Sequence, residues 1–199
     1  MKSTQIKSEI ILASKSKVRK EILEKNNINC RVISSNVDED PIKQSLIKEG
    51  ATPELISKNL AEIKATKVSS LNNDFLVLGA DSVIDLENNI ISKPENRIEA
   101  LEILKKLNGK EHYLISSVTI AKNGAMIWNY TDKAKLKMKH FNLDELKKYL
   151  SKISDHDLFS YNVYQIEGEG KNLFSNIDGD KDTIMGLPIK KIKDYLERI

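Results

Sequence analysis

The chain has 199 residues, and its 32 basic against 29 acidic side chains leave a net charge of only +3. That length suits one domain, 1–199, with a sizeable core and room for two lobes with a cleft. The charge is spread along the chain, without a basic block or interleaved aromatics, which argues against a nucleic-acid polymer as partner.

Cys30 is the only cysteine, so no internal disulfide can form and a reducing compartment is expected. Ile10-Ile11-Leu12-Ala13, with Lys2 and Lys7 before it, is too short for a signal-peptide core or a membrane span. A soluble, cytoplasmic protein with no membrane partner is expected. The same four residues read as a first buried strand. It runs into Ser14-Lys15-Ser16-Lys17-Val18-Arg19, where Val18, Ile22 and Leu23 begin a helical stripe ending near Asn26-Asn27. Serines and cations at a strand-to-helix junction suit an anion, because hydroxyls, free N–H groups and the helix dipole converge there. Simple N-capping by Ser16 with solvated lysines accounts for the same residues. The glycines of a P-loop are absent.

Asn29 to Ser35 reads as a second strand, followed by the acidic turn Asp38-Glu39-Asp40. Asp40-Pro41 fits the N-cap and first position of a short helix ending at Gly50. The acidic turn serves either the helix dipole or a Mg²⁺ ion, which takes one or two carboxylates beside substrate phosphates. From Pro53 to Val68 the pattern is helical, with Ile56, Leu60, Ile63 and Val68 on one side. Lys64 follows Leu60 by four residues, roughly 40° round the wheel and inside that apolar arc. A lysine there must snorkel outward or reach into a cleft.

Phe75-Leu76-Val77-Leu78 is an unbroken apolar run bounded by Asn72-Asn73-Asp74 and Gly79, the mark of a strand covered on both faces. It predicts Asp81 at the strand's carboxyl end, where open α/β sheets hold their ligands. A turn at Asn88-Asn89 returns the chain and brings Lys93-Pro94 near that carboxylate. Asn96 begins a further helix with Glu99 at capping-box spacing, a stripe of Ile98, Leu101, Leu104 and Leu107, and Gly109 as its stop.

Residues 112–121 and 126–141 read as two long strands joined by Asn123-Gly124, a strong hairpin signal. In the second, Ala134, Leu136 and Met138 alternate with lysines, so one face is wet and the lysine row discourages edge pairing. Asn142 and Glu145 cap another helix through Leu150. The stretch from Ser160 to Pro188 is irregular, and Pro188 opens a last helix with Ile189, Ile192, Tyr195, Leu196 and Ile199 on one face. His112, His140 and His156 have neither zinc-ligand spacing nor triad logic.

Taken in order, these residues resemble the Maf family of nucleoside triphosphate pyrophosphatases across almost the whole chain. Leu12-Ala13-Ser14-Lys15-Ser16-Lys17-Val18-Arg19 matches the family's Leu-Ala-Ser-x-Ser-Pro-Arg-Arg opening, and Asp38-Glu39 its acidic pair. Lys64-Ala65, Gly79-Ala80-Asp81-Ser82 and Lys93-Pro94 match its Lys-Ala, Gly-Ala-Asp-Thr and Lys-Pro. Leu107-Asn108-Gly109, His112, Ile166-Glu167-Gly168, Ile177-Asp178-Gly179-Asp180 and Gly186-Leu187-Pro188 follow its later signatures. There are three departures: Lys17 and Val18 replace the proline and first arginine, Ser82 replaces a threonine, and Glu167 stands where many members have glutamine.

The resemblance implies a mixed α/β fold, with a long central sheet flanked by helices and a nucleotide cleft between two lobes, as in inosine triphosphatases. It also implies hydrolysis of a nucleoside triphosphate to monophosphate and pyrophosphate with Mg²⁺, Mn²⁺ or Co²⁺. Such a reaction needs the substrate clamped, its charge neutralised and the water oriented. Ser14, Ser16, Arg19, Lys64 and Lys93 would hold phosphates, with Arg19 able to grip two oxygens at once. Asp81 would orient or deprotonate the water, directly or through the metal, and Glu39 would help ligate that metal. Which carboxylate binds metal and which acts as base stays open at this point.

Val18, Ser82 and Glu167 bear on the base. Glu167 with Val18 leans towards the family branch resembling 7-methyl-GTP hydrolases, and Ser82 towards the branch acting on dTTP and UTP. Glu167 could equally cap the Gly168–Gly170 loop. Two rivals stand beside this reading: a non-catalytic nucleotide-binding regulator of cell division, and a phosphatase of the aspartyl-phosphate type. The latter wants Asp-x-Asp, whereas Asp81 and Asp85 lie four apart. Oligomeric state is open, with a homodimer as one option.

Overall fold

The computed structural model describes residues 9–199, with Ser160 and Tyr161 as backbone only; Lys2 and Lys7 lie outside it. The first layer is parallel. Strand β1 (Ile10–Leu12) leads into helix α1 (Lys17–Lys25) and strand β2 (Cys30–Val32), which lies parallel beside β1 with Ile10 opposite Cys30. Ile10, Ile11 and Leu12 are at most 1% exposed, so this strand is covered on both faces as its unbroken apolar run requires. Helix α2 (Glu39–Lys48) follows, then α3 (Pro53–Ser69), whose N-cap Thr52 accepts from the Leu55 N–H with Pro53 in the first turn. The N-cap of α2 is Asp38, two residues before the expected Asp40, so Glu39 occupies the first helical turn.

Strand β3 (Val77–Leu86) is longer than its apolar run suggests. Only Val77 and Leu78 pair with β1; beyond them seven more residues of β3, 79–85, lie against β5 (Glu111–Lys122) in antiparallel register. Asp81 therefore sits inside a strand rather than at its end, but just past the point where β1 stops. A turn at Glu87-Asn88 leads to β4 (Asn89–Ile91), one residue earlier than the Asn88-Asn89 turn expected.

Helix α4 (Arg97–Leu107) buries Ala100, Leu104 and Leu107 and leaves Ile98 at 77% exposure, so the predicted stripe is rotated. The Glu99 carboxylate takes the Glu95 N–H, one residue before a capping-box partner. Strand β6 (Ala125–Met138) joins β5 through Asn123-Gly124, both with positive φ as the hairpin signal requires. Helices α5 (Leu143–Ser151, with a full Asn142–Glu145 capping box) and α6 (Asp155–Tyr161) come next. The stretch expected to be irregular then holds a 3₁₀ turn (Glu169–Leu173), strand β7 (Phe174–Asp178) and the short helix α7 (Lys181–Ile184). The lysine-flanked strand β6 is not an edge, because β7 pairs with it. Helix α8 (Ile189–Leu196) closes the order, with Ile199 at 67% exposure outside the predicted apolar face.

The sheet runs β2-β1-β3-β5-β6-β7, with β4 attached to β3. Along one face of β3, Leu78 and Ala80 join a core with Ile10, Leu12, Val118 and Ile192, while Ile84 and Leu86 join another with Leu104, Leu136 and Leu150. Ser82 interrupts the two. It lies opposite Ser116 on β5, which lies opposite Asp132 on β6, so a polar seam crosses three strands between two apolar cores. No helix among the described residues is long and apolar enough to cross a membrane.

Candidate active site

Helix α3 lies on β3 at unusually short range, and Gly79 permits it. A Cβ at Gly79 would fall 2.7 Å from the Ala65 nitrogen and 2.8 Å from its Cβ, so neither a side chain on the strand nor a larger residue on the helix fits there. This approach carries Lys64 over Asp81, two residues along the strand. Lys64 Nζ is 2.8 Å from Asp81 Oδ1 and 2.8 Å from Glu39 Oε1. The Ser57 hydroxyl, also on α3, donates to the Asp81 carbonyl and ties helix to strand a second time. Lys64 thus follows the cleft course of the two open to it, because a carboxylate waits beneath it.

Burial raises the Glu39 pKa, but the Lys64 charge and hydrogen bond, then Lys43 and Arg19, outweigh it and hold the carboxyl below its usual range. Asp81 Oδ2, by contrast, is buried with no hydrogen-bond partner. A carboxylate that shares one ammonium with a second carboxylate and keeps its other oxygen unpartnered fits a proton-accepting or cation-binding role. No group of three His, Cys, Asp or Glu placed to hold a metal ion is found among the described residues. Mg²⁺ needs no such group, since one or two carboxylates suffice beside substrate phosphates and water.

The β1–α1 junction builds the opposite wall. Ser16 caps α1 by accepting from the Arg19 N–H, and Ser14 Oγ takes the Ser16 N–H. Arg19 Nη1 donates to Ala80 O at 2.9 Å and Ser14 Oγ at 3.3 Å, Nη2 to Ser82 Oγ at 3.0 Å, and Nε to Gly186 O at 3.0 Å. A Cβ at Gly186 would stand 3.2 Å from Arg19 Nε, and its φ of +94° independently favours glycine. A guanidinium has five N–H groups, so the side chain expected to grip two phosphate oxygens has one left uncommitted among the described residues. Burial lowers the Arg19 pKa, opposed by Asp81 and then Glu39, but a guanidinium stays protonated in proteins.

All ten residues singled out in the sequence line one cleft of about 770 Å³: Ser14, Ser16, Val18, Arg19, Glu39, Lys64, Asp81, Ser82, Lys93 and Glu167. Lys93 reaches solvent at the rim, yet the surrounding walls desolvate it and the Arg19 charge repels it, so its pKa is lowered. Glu167 is exposed at the mouth, beside Gln165 and Tyr164. The turn that begins after Gly168 has no side-chain cap, so capping of that loop by Glu167 is not seen. His112 is absent from the cleft lining: it is 1% exposed in the second core, with Nε2 2.8 Å from the Tyr164 hydroxyl.

Lys43, Ser57, Ser116 and Thr183 escaped the sequence reading although they sit in or behind the cleft. Two adjacent serines, Ser116-Ser117, inside the buried middle of β5 were the available signal.

Comparison with known proteins agrees with this architecture. The Maf-like protein family model matches residues 9–199. The chain is 69% identical over 191 residues to a nucleoside triphosphate pyrophosphatase of Pelagibacter ubique, covering 96% of this chain and 98% of that protein. It is 36% identical over 189 residues to a 7-methyl-GTP pyrophosphatase of Brucella abortus, covering 95% of each. Among solved structures, a HAM1 protein from Coxiella burnetii shares the fold at a TM-score of 0.52 and 12% identity, over 96% of this chain and 99% of that one. With both its family signature and its sheet accounted for, the chain belongs to the Maf-like protein family.

Proposed function

We propose that this protein hydrolyses nucleoside triphosphates to nucleoside monophosphate and pyrophosphate in the cleft between β3, α1 and α3. The observation that carries the reading is the Lys64 ammonium held between Asp81 and Glu39, beside five further cations that line the same cleft, Lys15, Lys17, Arg19, Lys43 and Lys93. The kinship to proteins named as nucleoside triphosphate pyrophosphatases supports it.

In this reading the phosphates bind among the Ser14 and Ser16 hydroxyls and the cations Arg19, Lys64 and Lys93, and the positive charge of these three is needed most as negative charge builds on the leaving pyrophosphate. Asp81 Oδ1 is held by Lys64, which fixes the carboxylate and leaves Oδ2 to accept a proton. Water forms a new P–O bond to the α-phosphorus, the bond from that phosphorus to the α–β bridging oxygen breaks, and its electron pair leaves with pyrophosphate. The water proton passes to Asp81 Oδ2. Glu39 and Asp81 would hold a divalent ion, and such an ion when bound neutralises phosphate charge and acidifies water.

The test is product analysis with Mg²⁺, Mn²⁺ and Co²⁺ in turn. Pyrophosphate as first product supports the proposal. Orthophosphate as first product overturns it, and tight binding without turnover would favour a non-catalytic regulator.

A further inference from the structure

The seam between the two cores carries a hydrogen-bond chain whose direction is fixed by chemistry. The Thr183 carbonyl can only accept, so the Ser116 hydroxyl gives it a proton at 2.7 Å. Ser116 Oγ is then an acceptor towards Ser82, at 2.9 Å, and the Ser82 hydroxyl must be the donor. Ser82 Oγ consequently turns its lone pairs to Arg19 Nη2–H at 3.0 Å. The Thr183 hydroxyl in turn anchors the far end, 2.6 Å from Asp132 Oδ2. Ser116 and Thr183 are completely buried. The segment 183–186 also meets Arg19 directly, through the Gly186 carbonyl.

We infer that Ser116 is a positioning residue that acts through Ser82 to fix the plane of the Arg19 guanidinium, whose one remaining N–H then serves the phosphates. The inference rests on the phosphate-binding role proposed for the cleft. With Ser116 as acceptor, Ser82 has one orientation and Arg19 one complete set of partners. Without it, the Ser82 proton is free to turn towards Arg19, where donor would meet donor. A seam that served packing alone would make no use of this polarity.

The experiment is a double-mutant cycle of Ser116→Ala and Ser82→Ala with two readouts. The first is kcat/KM for pyrophosphate release; the second is rotation of the Arg19 guanidinium, followed by ¹⁵N NMR of its side-chain resonances. Ser116→Ala should lower kcat/KM roughly tenfold and speed guanidinium rotation. In the Ser82→Ala background it should add less than about twofold, because the link to Arg19 is already cut. Ser116→Thr, which keeps the donor, should restore most of both. An equal loss in both backgrounds, or unchanged Arg19 rotation in Ser116→Ala, overturns the inference. Ser116→Cys, close in size and a weak donor, replaces Ser116→Ala if that variant does not fold, with the same outcomes. If the wild type releases no pyrophosphate, the functional reading fails, whereas the NMR cycle still decides the positioning chain.

Discussion

Lys64 on α3 and Asp81 on β3 form an ion pair at 2.8 Å with only 7% and 5% of their surfaces exposed. Such a pair matters less for its net stabilisation than for what its rupture leaves behind. Lys64→Ala strands the Asp81 carboxylate and should cost about 3 kcal/mol or more, read as a lower denaturant midpoint. The double variant Lys64→Ala/Asp81→Ala should recover part of that loss. Lys64→Ala should also depress kcat/KM; an unchanged value would remove Lys64 from phosphate binding.

Asp81→Asn keeps the size of the side chain but not its capacity to take a proton. Turnover should fall by on the order of 10²–10⁴, with the fold and much of the triphosphate binding preserved. Near-normal kcat, measured by pyrophosphate release, would refute the role of Asp81 as base.

Gly79 sets the distance between helix and strand on which that pair depends. A methyl group there meets the Ala65 backbone nitrogen at 2.7 Å, and backbone cannot yield as a flexible side chain does. Gly79→Ala should destabilise by roughly 1–3 kcal/mol or more and lower kcat/KM together with stability. Thermal melts and kinetics on one preparation would check both.

His112 gives the fold a pH dependence. Burial lowers its pKa from 6.5 to about 4. Between those values the unfolded chain binds a proton that the folded chain does not, so stability rises with pH through that window and is lost as pH falls. The full difference is on the order of 3 kcal/mol. His112→Phe should flatten the chemical-denaturation profile between about pH 4 and 6.5. An identical slope in wild type and variant would show that His112 is not the group responsible.

Glu167 stands at the cleft mouth, where a base would extend from bound phosphates. A carboxylate only accepts hydrogen bonds and so favours adjacent N–H donors such as guanine's edge, especially in a cationic methylated guanine; glutamine can also donate to uracil or thymine carbonyls. Glu167→Gln should shift kcat/KM ratios from 7-methyl-GTP and GTP towards UTP and dTTP. An equal loss on all four substrates would show that Glu167 does not read the base.

The sequence alone determined the pieces whose signals are local. The unbroken apolar run at Ile10–Leu12, the Ser16 and Asn142 caps and the Asn123-Gly124 hairpin depend on residues within a turn or two of one another. The ordered motifs likewise named ten of the residues that line the cleft. Local patterns could not place α4's buried face, since Ile98 fits the helical period but the sheet lies on the other side. Nor could they show that β3 runs on past Leu78, because the antiparallel partner β5 that sustains it begins only at Glu111.

The partners of Lys64 and Arg19 were decided by tertiary structure. Gly79 lets α3 close on β3, and that approach makes Lys64 a buried counter-ion rather than a surface lysine. Gly186, 167 positions from Arg19, turns a presumed phosphate clamp into a side chain held mainly by its own protein. Hydrogen bonds and ion pairs of this kind depend on distances of about 3 Å between residues far apart in the chain. Such distances exist only once the sheet has brought its strands together.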